Sequence, residues 1–256
     1  MSAFTQIFST SVEDVKNKFP LYLKYLALPF IAILLYEIFW DSIDISIPSI
    51  ELAPASNEMP AVTLDIQGVF SITIGFIIYT YLELNLAFIT HKITLNKQSE
   101  ISIIDGLIWR KKHIPFIKAF LTLFLIGLLM LTPMFIFIYV DETSKTIDHL
   151  IFLIIALSLY LLAIIYLLSR YSLITPAAAA NKPIKLSDSF LLSKGYGWII
   201  MILVFIIPSL FNYLLDILPL TLSIILANIF LIFSIILLTN CYKYLKQKQV
   251  SITTAS

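Results

Sequence analysis

Charge is scarce in this chain. Asp, Glu, Lys and Arg make up 13% of its 256 residues, against about a quarter in soluble domains, and so sparse a polar surface excludes an ordinary water-soluble globule. The net charge of +1 gives no argument for a nucleic-acid partner. A single cysteine, Cys241, excludes an internal disulfide, and no Cys/His spacing resembles a zinc site. Glycine is rare as well, with six residues in all, which argues for tight apolar packing over a wet pore. No nucleophile stands with a base and no glycine-rich phosphate loop is present. An enzyme is therefore the least supported class, and no catalytic residue, metal or cofactor is assigned.

What the chain has in abundance is apolar surface, at 59% of residues and a mean hydropathy of +0.95. A hydrocarbon core of about 30 Å needs about 20 apolar helical residues. Six runs meet that length, near 19–40, 68–90, 114–140, 149–171, 197–217 and 219–242. Pro29, Pro133 and Pro208 fall inside three of them and predict kinks rather than breaks. The expectation is an all-α membrane protein with six transmembrane helices in one integral domain, residues 1–256. The first nineteen residues are polar and mixed in charge, and the run after them is long and lacks a small-residue cleavage site, so no cleaved signal peptide is expected.

Lysine and arginine set the orientation. With both termini inside, all of the 17 basic residues except Lys145 fall on cytoplasmic segments or adjoining span ends, which is the pattern that fixes membrane topology. Three segments on that face have amphipathic character. Phe4, Ile7, Phe8, Val12, Val15 and Phe19 recur at helical spacing ahead of the first span; Ile104, Leu107 and Ile108 follow a cap-like Ser102–Asp105 spacing; Leu186, Phe190 and Leu191 precede the fifth span. Asp188 there takes the place of Asp105, whereas Lys185 stands where the capping Ser102 would be. Each segment leads into an outward span, an external loop and a returning span. A threefold pseudo-repeat over 1–92, 93–176 and 177–248 is the hypothesis that follows. The external loop 41–66 alternates apolar and polar residues on either side of Pro54 and Pro60, and reads either as a hairpin or as an irregular acidic loop.

Ionisable residues at membrane depth are the default functional suspects. Glu83 lies eight residues before His91, about 12 Å from the inner end of the second span. With Lys118 and Arg170 it is expected to form a buried polar cluster, which serves either as an ion pair between helices or as a pocket for a headgroup or solute. Glu37 is expected to reach the outer interface, Asn212, Asp216 and Asn228 to tie helices together, and His91, His113 and His149 to sit at interfaces. Arg110, Lys111, Lys112, Lys185 and Lys194 flank apolar interfacial segments and are expected to contact anionic lipid.

Arg170, Tyr171, Leu173 and Pro176, followed by Ser189, Phe190, Leu192, Ser193, Lys194, Gly195 and Trp198, form an elbow between the fourth and fifth runs. This stretch of about thirty residues resembles the YciC-like family of bacterial six-span inner-membrane proteins, an uncharacterised family related to the membrane domain attached to some glycerophosphodiester phosphodiesterases. That group often has an acidic residue after the proline, where this chain has Ala177 to Ala180 and Asn181. The resemblance implies a bacterial inner-membrane location and no assigned activity. A non-catalytic scaffold in envelope maintenance, bound to anionic phospholipid and to a membrane-protein partner, is the leading expectation. The alternative is a small transporter or channel with a polar path near Glu83, Lys118 and Arg170.

Overall fold

In the computed structural model the described residues are 2–42, 66–140, 147–215 and 217–255, and among them there are helices and short turns but no strand. Helices α1 (Ala3–Ser42), α2 (Ile66–Thr94), α3 (Ile114–Val140), α4 (Ile147–Tyr171), α5 (Ile174–Ala179), α6 (Leu186–Leu192), α7 (Gly197–Met201), α8 (Ile207–Leu215) and α9 (Leu220–Ala255) follow in order. Six stretches are long and apolar enough to cross a membrane: α1, α2, α3, α4 with α5, α7 with α8, and α9. The chain is a multi-pass membrane protein.

The core lies where α1, α2 and α9 meet. Ile33, Leu86, Phe88, Ile89, Ile93 and Ile236 are all but sealed from the surroundings there. By contrast α3 and α4 pack on each other and turn large side chains outward: Leu129 is 73% exposed and Leu159 63%. Such surface is stable only in hydrocarbon, where the helices satisfy their own backbone groups.

The first expected interfacial helix is the opening part of α1, which runs unbroken through Pro20 and Pro29. Forty residues at 1.5 Å each make α1 about 60 Å long, roughly twice the hydrocarbon thickness. Its excess length packs on the equally overlong end of α9. Asn240 Nδ2 donates to Ser11 Oγ at 3.1 Å, Lys243 pairs with Asp14 at 3.2 Å, and Ile7 enters the cluster of Leu237, Cys241 and Leu245. These contacts tie the segment to a partner helix, so it is not a separate rod lying on the bilayer.

The second expected interfacial helix is a pair of short 3-10 turns, Ile103–Gly106 and Lys111–His113, that leave Ile103, Ile104, Ile108 and Trp109 exposed. The third is the α-helix α6. The hairpin expected for 41–66 lies almost wholly outside the described residues, as does the Asp216 end of the Asn212–Asp216 pair. Pro208 is accommodated by a π-helical turn at Ile202–Ile206, whose wider hydrogen bonds remove the clash between the proline ring and the preceding carbonyls. Pro133 lies within an unbroken α3.

Candidate functional site: an elbow, a two-lysine groove and a buried acid pair

The elbow forms because α4 stops at Tyr171 and α5 begins three residues later, at Ile174. Pro176 lies in the first turn of α5, where its missing N–H has no intrahelical acceptor to lose, so it starts a helix rather than merely ending one. Ala177, Ala178 and Ala179 are buried, and their small side chains let α5 sit against α2, α3 and α9. Asn181, at φ +60°, ends α5 with its N–H on the Ala178 carbonyl while the Lys182 N–H reaches that of Ala177.

Residues singled out on either side of the elbow converge. Ser189, fully buried, donates to the Arg170 carbonyl at 2.7 Å. The Arg170 guanidinium donates to the Phe190 carbonyl at 2.5 Å and to Ser193 Oγ at 3.0 Å, and it lies 3.3 Å from the centroid of the Phe190 ring. Tyr171 packs near that ring at 6.0 Å, and Trp198 meets Tyr166 at 4.9 Å. Gly195, at φ +80°, turns the chain from α6 into α7 through a conformation that side chains resist. Lys194 beside it is exposed and has no partner among the described residues. At the start of α6 the Lys185 N–H donates to Asp188 at 3.2 Å, the same bond that Ser102 makes to Asp105 at 2.6 Å. The cap thus carries over to Lys185 after all, because this half of it uses the backbone and is blind to the side chain.

The expected Glu83–Lys118–Arg170 cluster does not form. Arg170 is satisfied by the elbow. Lys118 lines a groove of about 560 Å³ with Lys185, between the start of α3 and the approach to α6. The groove wall also includes Ile114, Thr122 and Ile184, and neither lysine has a carboxylate partner among the described residues. Glu83 instead meets Tyr79, whose hydroxyl hydrogen-bonds Glu37 as well. Glu37 accepts from Asn228 Nδ2 at 3.0 Å, so it faces into the bundle and not simply the interface. Glu83 and Lys118 are expected at similar depth along their spans, with Arg170 near the inner end of its own, but depth does not fix the face each presents.

Of the five expected lipid contacts, Lys111, Lys185 and Lys194 are exposed and without a described partner. Lys112 and Arg110 are drawn to Asp105, a buried carboxylate that needs neutralising: Lys112 pairs with it directly and Arg110 lies at 3.5 Å. Burial works against ionisation of Asp105, but Lys112 and the Ser102 N–H outweigh it and hold its carboxyl below the usual range. Sequence reasoning gave no role to Lys92, which is 1% exposed and bonds Glu100 at 2.5 Å and Asn181 Oδ1 at 3.1 Å. Lys92 and Lys97 hold the Glu100 carboxyl down at about 2. His91 and His113 are also buried, on Thr239 Oγ1 at 2.7 Å and the Arg110 N–H at 2.9 Å; the side chain of His149 lies outside the described set. A signal for the Lys92 knot exists in Asn96 and Asn181, since asparagine favours the left-handed residue that closes a helix.

The chain matches no family model, no curated protein and no solved structure.

Proposed function

We propose that the chain is a non-catalytic protein of the bacterial inner membrane, a scaffold or partner in envelope maintenance, that holds an anionic phospholipid at its cytoplasmic end. The supporting observation is the Lys118–Lys185 groove. Two ammonium groups without a counter-ion among the described residues stand over an apolar wall, as a charged headgroup and the top of an acyl chain require. The backbone beside Lys185 is anchored by the elbow, where Arg170 bonds Ser193 and Ser189 bonds the Arg170 carbonyl. Lys111 and Lys194 widen the basic surface, and Ile103, Ile104, Ile108 and Trp109 give it an apolar footing.

At about 1 kcal/mol per lysine, the pair favours an anionic over a zwitterionic headgroup by about 2 kcal/mol, or about thirtyfold. Native mass spectrometry of protein equilibrated with mixed phosphatidylglycerol and phosphatidylcholine reads this ratio. Wild type retains the anionic lipid, and the K118M/K185M double variant loses most of the preference. Equal retention of the two lipids by wild type rejects the reading. A path through Glu83, Lys118 and Arg170 has no support in the arrangement, since the three are engaged in different places.

A further inference from the structure

Away from the lysine groove, two carboxylates on neighbouring helices share one hydroxyl. Glu37 on α1 and Glu83 on α2 both hydrogen-bond Tyr79, and among the described residues no basic side chain approaches either. Two anions so placed in hydrocarbon have no cation among the described residues to balance them. The decisive neighbour is Asn228 on α9, which is 3% exposed. Its Nδ2 donates to Glu37 Oε2 at 3.0 Å and to the Ile224 carbonyl, while its Oδ1 is buried with no donor. A carboxylic acid and a primary amide form a two-bond pair, in which the amide N–H is given to the acid carbonyl and the acid O–H to the amide oxygen. The first of those bonds is present, and the amide oxygen waiting for the second is orphaned. An ionised Glu37 cannot fill that vacancy, because it has nothing to donate.

We infer that Glu37, Tyr79, Glu83 and Asn228 form a proton-binding site in which Glu37 carries the proton and donates it to Asn228 Oδ1. The site is independent of the lipid groove. The titratable groups facing it are Tyr36 on α1 and Tyr79 and Glu83 on α2; α9 contributes only the Asn228 amide. Below Glu83 a cavity of about 180 Å³ is lined by His91 of α2, Phe116 and Phe120 of α3 and Thr175 of α5, so no lysine or arginine faces the pair from these helices either. A groove of about 510 Å³ lined by Glu37, Tyr79 and Trp40 gives the proton its way in and out. Gly75 on the groove wall lets the Trp40 indole pack closely against α2, since any side chain there would run into it.

The test is infrared spectroscopy of the full-length protein in phosphatidylcholine vesicles at neutral pH, reading the C=O stretch of protonated carboxyl groups before and after exchange into D2O. The expected result is a deuterium-sensitive band that Glu37→Gln removes and Glu83→Gln leaves in place. Glutamine can make both bonds to Asn228, so Glu37→Gln keeps the wild-type melting temperature and its spectrum reports on a folded protein. Absence of the band in wild type, or its survival in Glu37→Gln, overturns the assignment. A melting temperature that falls in Glu37→Gln also overturns it, because it shows that the partner of Asn228 is an anion.

Discussion

Removing the Arg170 head tests whether the elbow is held by one side chain. Arg170→Met keeps much of the aliphatic stem and deletes two charge-assisted hydrogen bonds, to the Phe190 carbonyl at 2.5 Å and to Ser193 Oγ at 3.0 Å, with the stacking on Phe190. Bonds of this kind contribute about 1.5–3 kcal/mol each. Ser193 Oγ still donates to the Phe190 carbonyl at 3.1 Å in the variant, so no acceptor is left bare. Removing a buried charge also recovers part of its desolvation cost. A net loss of about 2–4 kcal/mol follows. Arg170→Lys should lose nearly as much, because an ammonium cannot span both acceptors with the geometry of the planar fork. The assay is reversible unfolding in detergent micelles, with Ser193→Ala and the double variant completing a cycle. Coupling of about 1–2 kcal/mol between the two sites is expected. Additivity to within about 0.5 kcal/mol would show that the bond carries no weight and would refute the reasoning.

Three further outcomes are expected. Gly195→Ala places a side chain in a left-handed conformation with open space around it, and should cost about 1–2 kcal/mol from backbone strain alone; an unchanged midpoint in the same unfolding assay would count against that conformation. The Glu100 carboxyl titrates at about 2 in the folded chain, below its ordinary value of 4.5. The stability it contributes is therefore complete above about pH 4.5 and is lost as pH falls toward about 2, and Glu100→Gln should flatten the stability profile in that window and nowhere above it. Asn85 is fully buried with neither amide atom bonded, so Asn85→Ala should change the unfolding free energy by no more than about 1 kcal/mol, whereas Asn240→Ala, which breaks the bond to Ser11, should cost more.

Span number and helical class were legible because each depends only on the length of an apolar run, which any window of the sequence displays. The elbow was legible for a related reason: Arg170, Ser189, Ser193 and Gly195 lie within thirty residues, and their contacts are local in sequence. What failed was long-range azimuth. Glu83 was legible as an acid within the second span, but its partners Tyr79 and Glu37 are fixed by how α1 and α2 rotate against each other, and nothing in the sequence gives that rotation. The same holds for Lys92, whose partners Glu100 and Asn181 come from two separate turns. The interfacial helices failed differently. Periodicity identified apolar faces at 3–19 and 102–112, but it could not say that one would continue into the span and the other would tighten into 3-10 turns.

The most direct test of the lipid account is photo-crosslinking in native-like bilayers with a phosphatidylglycerol analogue carrying a diazirine near the headgroup end of its acyl chain. The account predicts adducts concentrated on peptides spanning 114–122 and 184–186, competed by unlabelled phosphatidylglycerol, insensitive to phosphatidylcholine and lost in K118M/K185M. Adducts spread evenly over α3, α4 and α9, and competed equally by either lipid, would contradict it.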